Sequence, residues 1–175
     1  MSKKIVILRG KNASGKTTAF NNLKNYYHKD KNLFKNWIFV DNGAIKGMFT
    51  NLDDQNWRDY SKKIFLDVLK TILPLKRNIL IEETSNEMLN RNFNKEIKKY
   101  NYQIMTFQFK VSLKNAILRD KKRVKEKSHQ GLGEKKIKEL RKFHQDHLDK
   151  EGIIINTDKL SKWQVINFVI KKLNL

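Results

Sequence analysis

The chain has 175 residues, 39% of them hydrophobic and 32% charged, and a formal net charge of +20. Its length and apolar content favour one globular domain, 1–175, over a disordered chain, and the absence of cysteine excludes disulfides, thiolate metal sites and cysteine nucleophiles. No apolar run approaches the 18 residues of a membrane span and the basic start lacks a signal-peptide core, so we expect a cytoplasmic protein without a membrane partner.

The first pattern along the chain joins an apolar run, a glycine-containing loop and an amphipathic segment. Residues 5–8 (IVIL) predict a buried strand, and Phe20, Leu23 and Tyr27 recur at the spacing of a helix face. Between them, residues 10–17 (GKNASGKT) fit the phosphate-binding pattern G-x-x-x-x-G-K-T. Such a loop closes its backbone N–H groups around a phosphate chain at the positive end of a helix. We therefore expect nucleoside triphosphate to be bound by Gly10, Asn12, Ala13, Ser14, Gly15, Lys16, Thr17 and Thr18.

Two side chains of this loop carry chemistry as well as binding. Lys16 can reach the β- and γ-phosphates, and the Thr17 hydroxyl can ligate Mg²⁺. A nucleoside triphosphate with Mg²⁺ is accordingly the expected ligand of the loop.

Four more apolar runs alternate with helical patterns along the rest of the chain. The strands are predicted at 37–40, 79–81, 102–109 and 153–155, with a loop through Asp41, Gly43 and Gly47 after the first of them. Helices are predicted over 57–72 (capped by Asp53 or Asp54 and ended by Pro74), from Ser85 or Asn86 to Tyr100, as a pair within 114–142 broken near 131–133, and over 163–173.

This alternation predicts the fold class. Parallel strands need crossover helices, which cover both faces of the sheet. We predict a three-layer α/β P-loop NTPase sandwich with a parallel, five-stranded sheet and the ligand site at the carboxyl ends of the strands. Trp37, Trp57 and Trp163 fall at apolar-periodic positions and are predicted to lie in the core.

Acidic residues follow two of the predicted strands. Asp41 follows the second strand, where it can accept a proton from an attacking hydroxyl or serve as a turn residue in Asp-Asn-Gly. Glu82 and Glu83 follow the third strand. Because side chains alternate along a strand, one of the two should face the site. We expect it to be Glu82, as a ligand of Mg²⁺ beside Thr17.

Arg119 and Arg123 stand four residues apart on a predicted helix and so point the same way. One guanidinium group can bind two phosphate oxygens at once, which suits charge stabilisation during phosphoryl transfer. The alternative is a solvated basic helix with Lys121, Lys122 and Lys125.

With these residues in view, the chain resembles the small P-loop kinases, the group of chloramphenicol phosphotransferase-like, polynucleotide-kinase-like and zeta-toxin-like enzymes. Residues 4–10 (KIVILRG) resemble the family's opening, and 79–84 (ILIEET) are similar to the zeta-type segment with Glu83 in place of the usual glycine. Residues 118–123 (LRDKKR) resemble the R-x-x-x-R signature of the lid, the helical segment expected at about 112–133.

The resemblance implies ATP- and Mg²⁺-dependent transfer of a γ-phosphoryl group to a hydroxyl of a small molecule or nucleoside-type substrate. It implies Asp41 as general base, Glu82 as metal or substrate ligand, and Arg119 and Arg123 as lid cations. Catalytic roles are thus expected for Lys16, Asp41, Arg119 and Arg123.

The basic charge supports an alternative function. The 31 lysines against 7 arginines, together with 19 asparagines, fit the composition bias of an AT-rich genome as well as a polyanion-binding surface. The alternative is a nucleic-acid-associated P-loop protein, either a polynucleotide 5′-hydroxyl kinase or a basic RNA- or DNA-binding ATPase. Ala44 stands where polynucleotide-kinase-like members carry an arginine, with Lys46 as a substitute cation, and this disfavours nucleic acid as the partner. The acceptor, the choice of ATP over GTP and the oligomeric state are left open.

Overall fold

A computed structural model describes residues 3–29, 33–49, 56–83, 91–126, 131–143 and 152–175. Its strands are β1 (Lys3–Gly10), β2 (Trp37–Asp41), β3 (Asn78–Glu83), β4 (Tyr102–Lys110) and β5 (Ile153–Asn156). They form one parallel sheet in the order β2-β3-β1-β4-β5. Within the described ranges, no helix has the length and apolarity needed to cross a bilayer.

Helices cover both faces of this sheet. They are α1 (Lys16–Lys29), α2 (Asn42–Gly47), α3 (Trp57–Ile72), α4 (Arg91–Lys99), α5 (Leu113–Lys125), α6 (Glu134–Phe143) and α7 (Lys162–Leu173), with a 3₁₀ turn at Leu73–Leu75. The predicted three-layer α/β sandwich is confirmed. So are the end of α3 before Pro74 and the break between α5 and α6.

The alternation of side chains along β1 divides the core into two layers. Val6 and Leu8 point to the face covered by α1 and α7, where they meet Phe20 of α1. Ile5 and Ile7 point to the opposite face, which α3 and α4 cover. Because both faces of the central strand are fully buried, its sequence is a continuous apolar run rather than an alternating one.

The structure differs from the sequence prediction after β2, where a six-residue helix, α2, replaces the expected loop. Asp41 adopts an extended conformation there, and its Oδ1 accepts a hydrogen bond from the Ala44 backbone N–H at 2.9 Å. This N-cap satisfies an otherwise orphaned donor of the first turn, so the sequence Asp-Asn-Gly opens a helix instead of a hairpin-like turn.

The tryptophans and the predicted helix caps complete the comparison with the sequence prediction. Trp163 was predicted to lie in the core, but it is 53% exposed at the start of α7, with Lys162 over its ring. Trp37 and Trp57 are half-buried. The proposed caps Asp53 and Asp54, and the proposed helix start at Ser85 or Asn86, lie outside the described residues.

Candidate functional site

The loop of residues 10–17 lies between β1 and α1, at the carboxyl end of the sheet. Ala13 and Gly15 adopt positive φ angles of 59° and 93°, which fold the loop back on itself. At Gly10 a Cβ would lie 2.6 Å from Ser14 Oγ and 2.7 Å from the Phe109 carbonyl oxygen. Only glycine therefore lets the loop leave β1 against β4.

Glu82 is the acidic residue that reaches this loop. The Thr17 hydroxyl donates a hydrogen bond to Glu82 Oε1 at 2.9 Å, and Lys16 Nζ lies 3.4 Å from the same oxygen. Burial lowers the pKa of the Lys16 ammonium below its ordinary value of 10.5, and Glu82 offsets only part of that effect. Nearby Lys46 and Arg123 lower this pKa further, so several cations converge on the loop.

The oxygens at this point fit Mg²⁺. A hydroxyl and a carboxylate 2.9 Å apart form a pair of hard ligands, which this ion prefers. Within the described residues no three His, Cys, Asp or Glu side chains cluster as a metal cage. The remaining ligands would accordingly be water and phosphate oxygens, as is usual for Mg²⁺ bound with a nucleotide.

Asp41 lies beside Glu82, because the two residues are register partners on β2 and β3. Its Oδ1 caps α2, and among the described residues no hydrogen bond reaches Oδ2. Asp41, Glu82 and the loop all line one cavity of about 390 Å³, together with Gly43 of α2. Asp41 thus serves as a helix cap in place of the expected turn residue, and this cap uses only one of its two carboxylate oxygens.

The two arginines of α5 differ in their surroundings. Arg119 donates from Nη1 to the Ala13 carbonyl oxygen at 3.2 Å and to Thr157 Oγ1 at 3.0 Å, and from Nη2 to the Thr157 carbonyl oxygen at 2.6 Å. Its guanidinium therefore ties α5 to the loop and to the segment after β5. Arg123 instead lines the cavity shared with Asp41 and also a second cavity of about 570 Å³ between α1, α5 and α7.

Three features near the site were not predicted from the sequence. Thr157, just after β5, is 6% exposed and its hydroxyl lies 3.0 Å from the Ser14 carbonyl oxygen. Asp120, between the two arginines, is 4% exposed. Arg9 and Glu83 form a buried ion pair at 3.3 Å. For the ion pair, the sequence offered one signal. Arg9 places a charge directly after the buried residues 5–8, and a buried charge needs a partner.

No known protein-family profile matches the sequence, and no curated protein is similar to it in sequence. Solved structures are similar in fold. Kti12 from Chaetomium thermophilum, in complex with ADP-AlF3, has a TM-score of 0.68 at 14% identity, over 97% of this chain and 96% of that one. Shikimate kinase from Acinetobacter baumannii, in complex with shikimate, has a TM-score of 0.63 at 12% identity, over 98% and 93%. The chain has the fold of the small P-loop kinases.

A further structure with a similar fold comes from an RNA repair complex. A chain of the Pnkp1/Rnl/Hen1 RNA repair complex has a TM-score of 0.59 at 19% identity, over 82% of this chain and 44% of that chain. At such identities the likeness establishes the fold. Of the residues predicted for the site, residues 12–17, Asp41, Glu82 and Arg123 line one cavity, whereas Thr18 and Arg119 line the second. Their chemical roles stay predictions.

Proposed function

We propose that the protein is a kinase that transfers the γ-phosphoryl group of ATP to a hydroxyl group of a small molecule or nucleoside-type substrate. The observation that carries the proposal is the convergence of Lys16, Asp41 and Glu82 on one cavity at the carboxyl end of the sheet. A loop shaped to hold a triphosphate thereby faces a carboxylate that can activate an acceptor.

The loop and its neighbours form the donor half of the site. Backbone N–H groups of residues 12–17 and the Lys16 ammonium would hold the phosphates, while the 570 Å³ cavity beside Gly15 has room for the nucleoside. Thr17 and Glu82 would hold Mg²⁺, which neutralises charge on the β- and γ-oxygens when bound. The similar fold of Kti12, solved with ADP-AlF3, supports nucleotide binding at such a loop.

Asp41 forms the acceptor half. Its Oδ2 would accept the proton of the acceptor hydroxyl while the acceptor oxygen forms a bond to the γ-phosphorus. The bond from that phosphorus to the bridging oxygen breaks, and ADP leaves. Arg123 faces the same cavity and would stabilise the charge on the transferred group, whereas Arg119 would add a fixed positive charge beside Gly15.

A screen with an unbiased acceptor pool tests the proposal. Purified protein is incubated with ATP, Mg²⁺ and a metabolite extract, and mass spectrometry follows products heavier by about 80 Da, the mass of one phosphoryl group. Asp41→Asn is expected to bind ATP and lose the product, because the amide cannot accept the proton. Asp67→Asn makes the same change on an exposed acid of α3 and should retain activity. Full activity of Asp41→Asn would remove the base assignment.

A second candidate function is binding of RNA or DNA by a P-loop ATPase or polynucleotide kinase. It is favoured by the outer surface of α5, where Lys114, Lys121, Lys122 and Lys125 are exposed and the helix's own acid, Asp120, is buried. A gel-shift series across salt concentration tests it. For binding through phosphates, the logarithm of the binding constant falls linearly with the logarithm of the salt concentration. Lack of binding near physiological ionic strength would exclude this candidate.

A further inference from the structure

Both α5 and α6 contact the loop of residues 10–17, called the nucleotide loop below. Ala13 forms a small apolar cluster with Ala116 of α5 and Ile137 of α6. Lys11 Nζ donates to the Arg141 carbonyl oxygen near the end of α6 at 3.1 Å. Both helices therefore contact the loop, and the placement of their side chains beside it depends on how α5 and α6 pack together.

Asp120 joins these two helices. Its carboxylate accepts the backbone N–H of Leu132 at 3.0 Å and that of Gly133 at 3.0 Å, just before the first turn of α6. The Gly133 carbonyl in turn accepts the Ile137 N–H, so the bound amides belong to the N-terminus of the helix that touches the loop. A carboxylate at this end also interacts favourably with the helix dipole.

The backbone of residues 131–133 fits closely around the Asp120 carboxylate. Gly131 has φ of +72°, and a Cβ there would overlap the Val124 side chain and lie 3.3 Å from Asp120 Oδ2. Asp120, Leu132 and Arg123 all line the cavity that also holds Lys16. A bare carboxylate in a cavity for polyphosphate would repel the ligand, whereas one already engaged with two N–H groups has its charge partly compensated.

We propose that Asp120 is a positioning residue: by binding the amides of Leu132 and Gly133 it holds α6 against α5 and thereby sets Arg123 over the transferred phosphoryl group. This inference rests on the proposed kinase function. Both oxygens of Asp120 already accept backbone N–H groups, so we assign it no role as a metal ligand or proton acceptor.

The first measurement concerns the joint alone. Residue-resolved amide hydrogen exchange is compared between the wild type, Asp120→Asn and the exposed control Asp67→Asn. The amides of Leu132 and Gly133 should exchange faster in Asp120→Asn only, because the amide side chain offers one acceptor oxygen in place of two. Unchanged exchange at both positions would overturn the proposal.

The second measurement is a double-mutant cycle on Mg²⁺-dependent ADP formation from ATP in the presence of the metabolite extract. Asp120→Asn should lower kcat by about tenfold with KM for ATP within about threefold, as for a contact made in the transition state. In an Arg123→Ala background the same change should alter kcat less than about twofold, because the residue through which it acts is gone. Additive losses would overturn the positioning role, whereas a wild type that forms no ADP even with the metabolite extract present would contradict the proposed function instead.

A second pair of variants leaves the carboxylate in place, and it decides the question if Asp120→Asn does not fold. Gly131→Ala places a methyl group against Val124 and Asp120, whereas at Gly133, with a similar positive φ of +77°, an added Cβ meets nothing within 4 Å. Gly131→Ala should therefore lower kcat more than Gly133→Ala, and the loss should depend on Arg123. Equal losses in the two variants would overturn the proposal.

Discussion

Arg9 and Glu83 form an ion pair with side chains 2% and 1% exposed. Arg9 immediately precedes the P-loop and Glu83 immediately follows Glu82, so the pair joins β1 to β3 where each strand enters the site. Both side chains lie on the α3 face of the sheet, opposite to that of Leu8 and Glu82. Because side chains alternate along β3, Glu82 faces the loop and Glu83 faces the α3 side of the sheet.

Breaking this pair should destabilise the protein strongly. Glu83→Gln removes the negative charge 3.3 Å from the buried Arg9 guanidinium, at an expected cost of about 3 kcal/mol in the free energy of unfolding. Glu139→Gln makes the same change in an exposed pair with Lys136 and should cost less than about 1 kcal/mol. Urea denaturation measures both.

The double variant Arg9→Met/Glu83→Met completes this test, because it removes both charges together. It should be more stable than Glu83→Gln, since no unpaired charge stays buried. If Glu83→Gln costs no more than Glu139→Gln, the pair is not the stabilising contact that its burial indicates.

At the scale of elements, α2 brings the backbone of Gly43 to the acceptor half of the site. At Gly43 a Cβ would lie 3.1 Å from Asp41 Oδ1 and 3.6 Å from Glu82 Oε2, so the glycine keeps the space between the two carboxylates open. Gly47, in the same helix, has nothing within 4 Å of such a Cβ. The helix therefore contains its own control position.

Alanine at these two positions should separate helix stability from activity. Both substitutions raise helix propensity by up to about 1 kcal/mol, so neither should destabilise the fold. Gly43→Ala should lower kcat about tenfold, equivalent to about 1.4 kcal/mol of transition-state energy, because its methyl group crowds Asp41. Gly47→Ala should leave kcat unchanged. Steady-state kinetics with the acceptor found in the extract measures both, and equal rates for the two variants would contradict this role of α2.

At the scale of the whole molecule, the nucleotide loop is a junction of several elements. Arg119 links Ala13 to Thr157, and the Thr157 hydroxyl lies within hydrogen-bond distance of the Ser14 carbonyl, so α5, the loop and the segment after β5 form one connected unit. A ligand that binds this junction only in the folded state should stabilise the whole fold by mass action.

Mg²⁺ and ATP at about 100 times their Kd should therefore add about 2.7 kcal/mol to the free energy of unfolding. Lys16→Met should lose this gain, because the buried ammonium that meets the phosphates is absent. Lys63→Met, at an exposed position of α3, should retain it. Thermal unfolding with and without nucleotide measures the effect. The same increase in Tm for Lys16→Met as for the wild type would contradict the role of Lys16.

The sequence was sufficient to predict the strands, the helix pair broken near Gly131 and the P-loop, because these depend on local periodicity and on one dense motif. The period-two alternation of side chains along a strand likewise indicated that Glu82 and Glu83 point to opposite faces of the sheet. The short helix α2 was missed because six residues carry little periodic signal, and its start depends on a single cap at Asp41.

The contacts that complete the site could be decided only by the tertiary structure. Arg9 and Glu83 stand 74 residues apart in sequence, and Arg119 stands 106 residues from its partner Ala13. No local pattern encodes which distant residue will satisfy a buried charge or amide, because that depends on strand order and helix packing. By itself the sequence therefore determined the α/β fold and the phosphate-binding loop. The folded chain decided that Glu82 meets Thr17, that Arg119 donates to Ala13 and Thr157, that Arg123 lines the cavity, and that Asp120 accepts N–H groups at the start of α6.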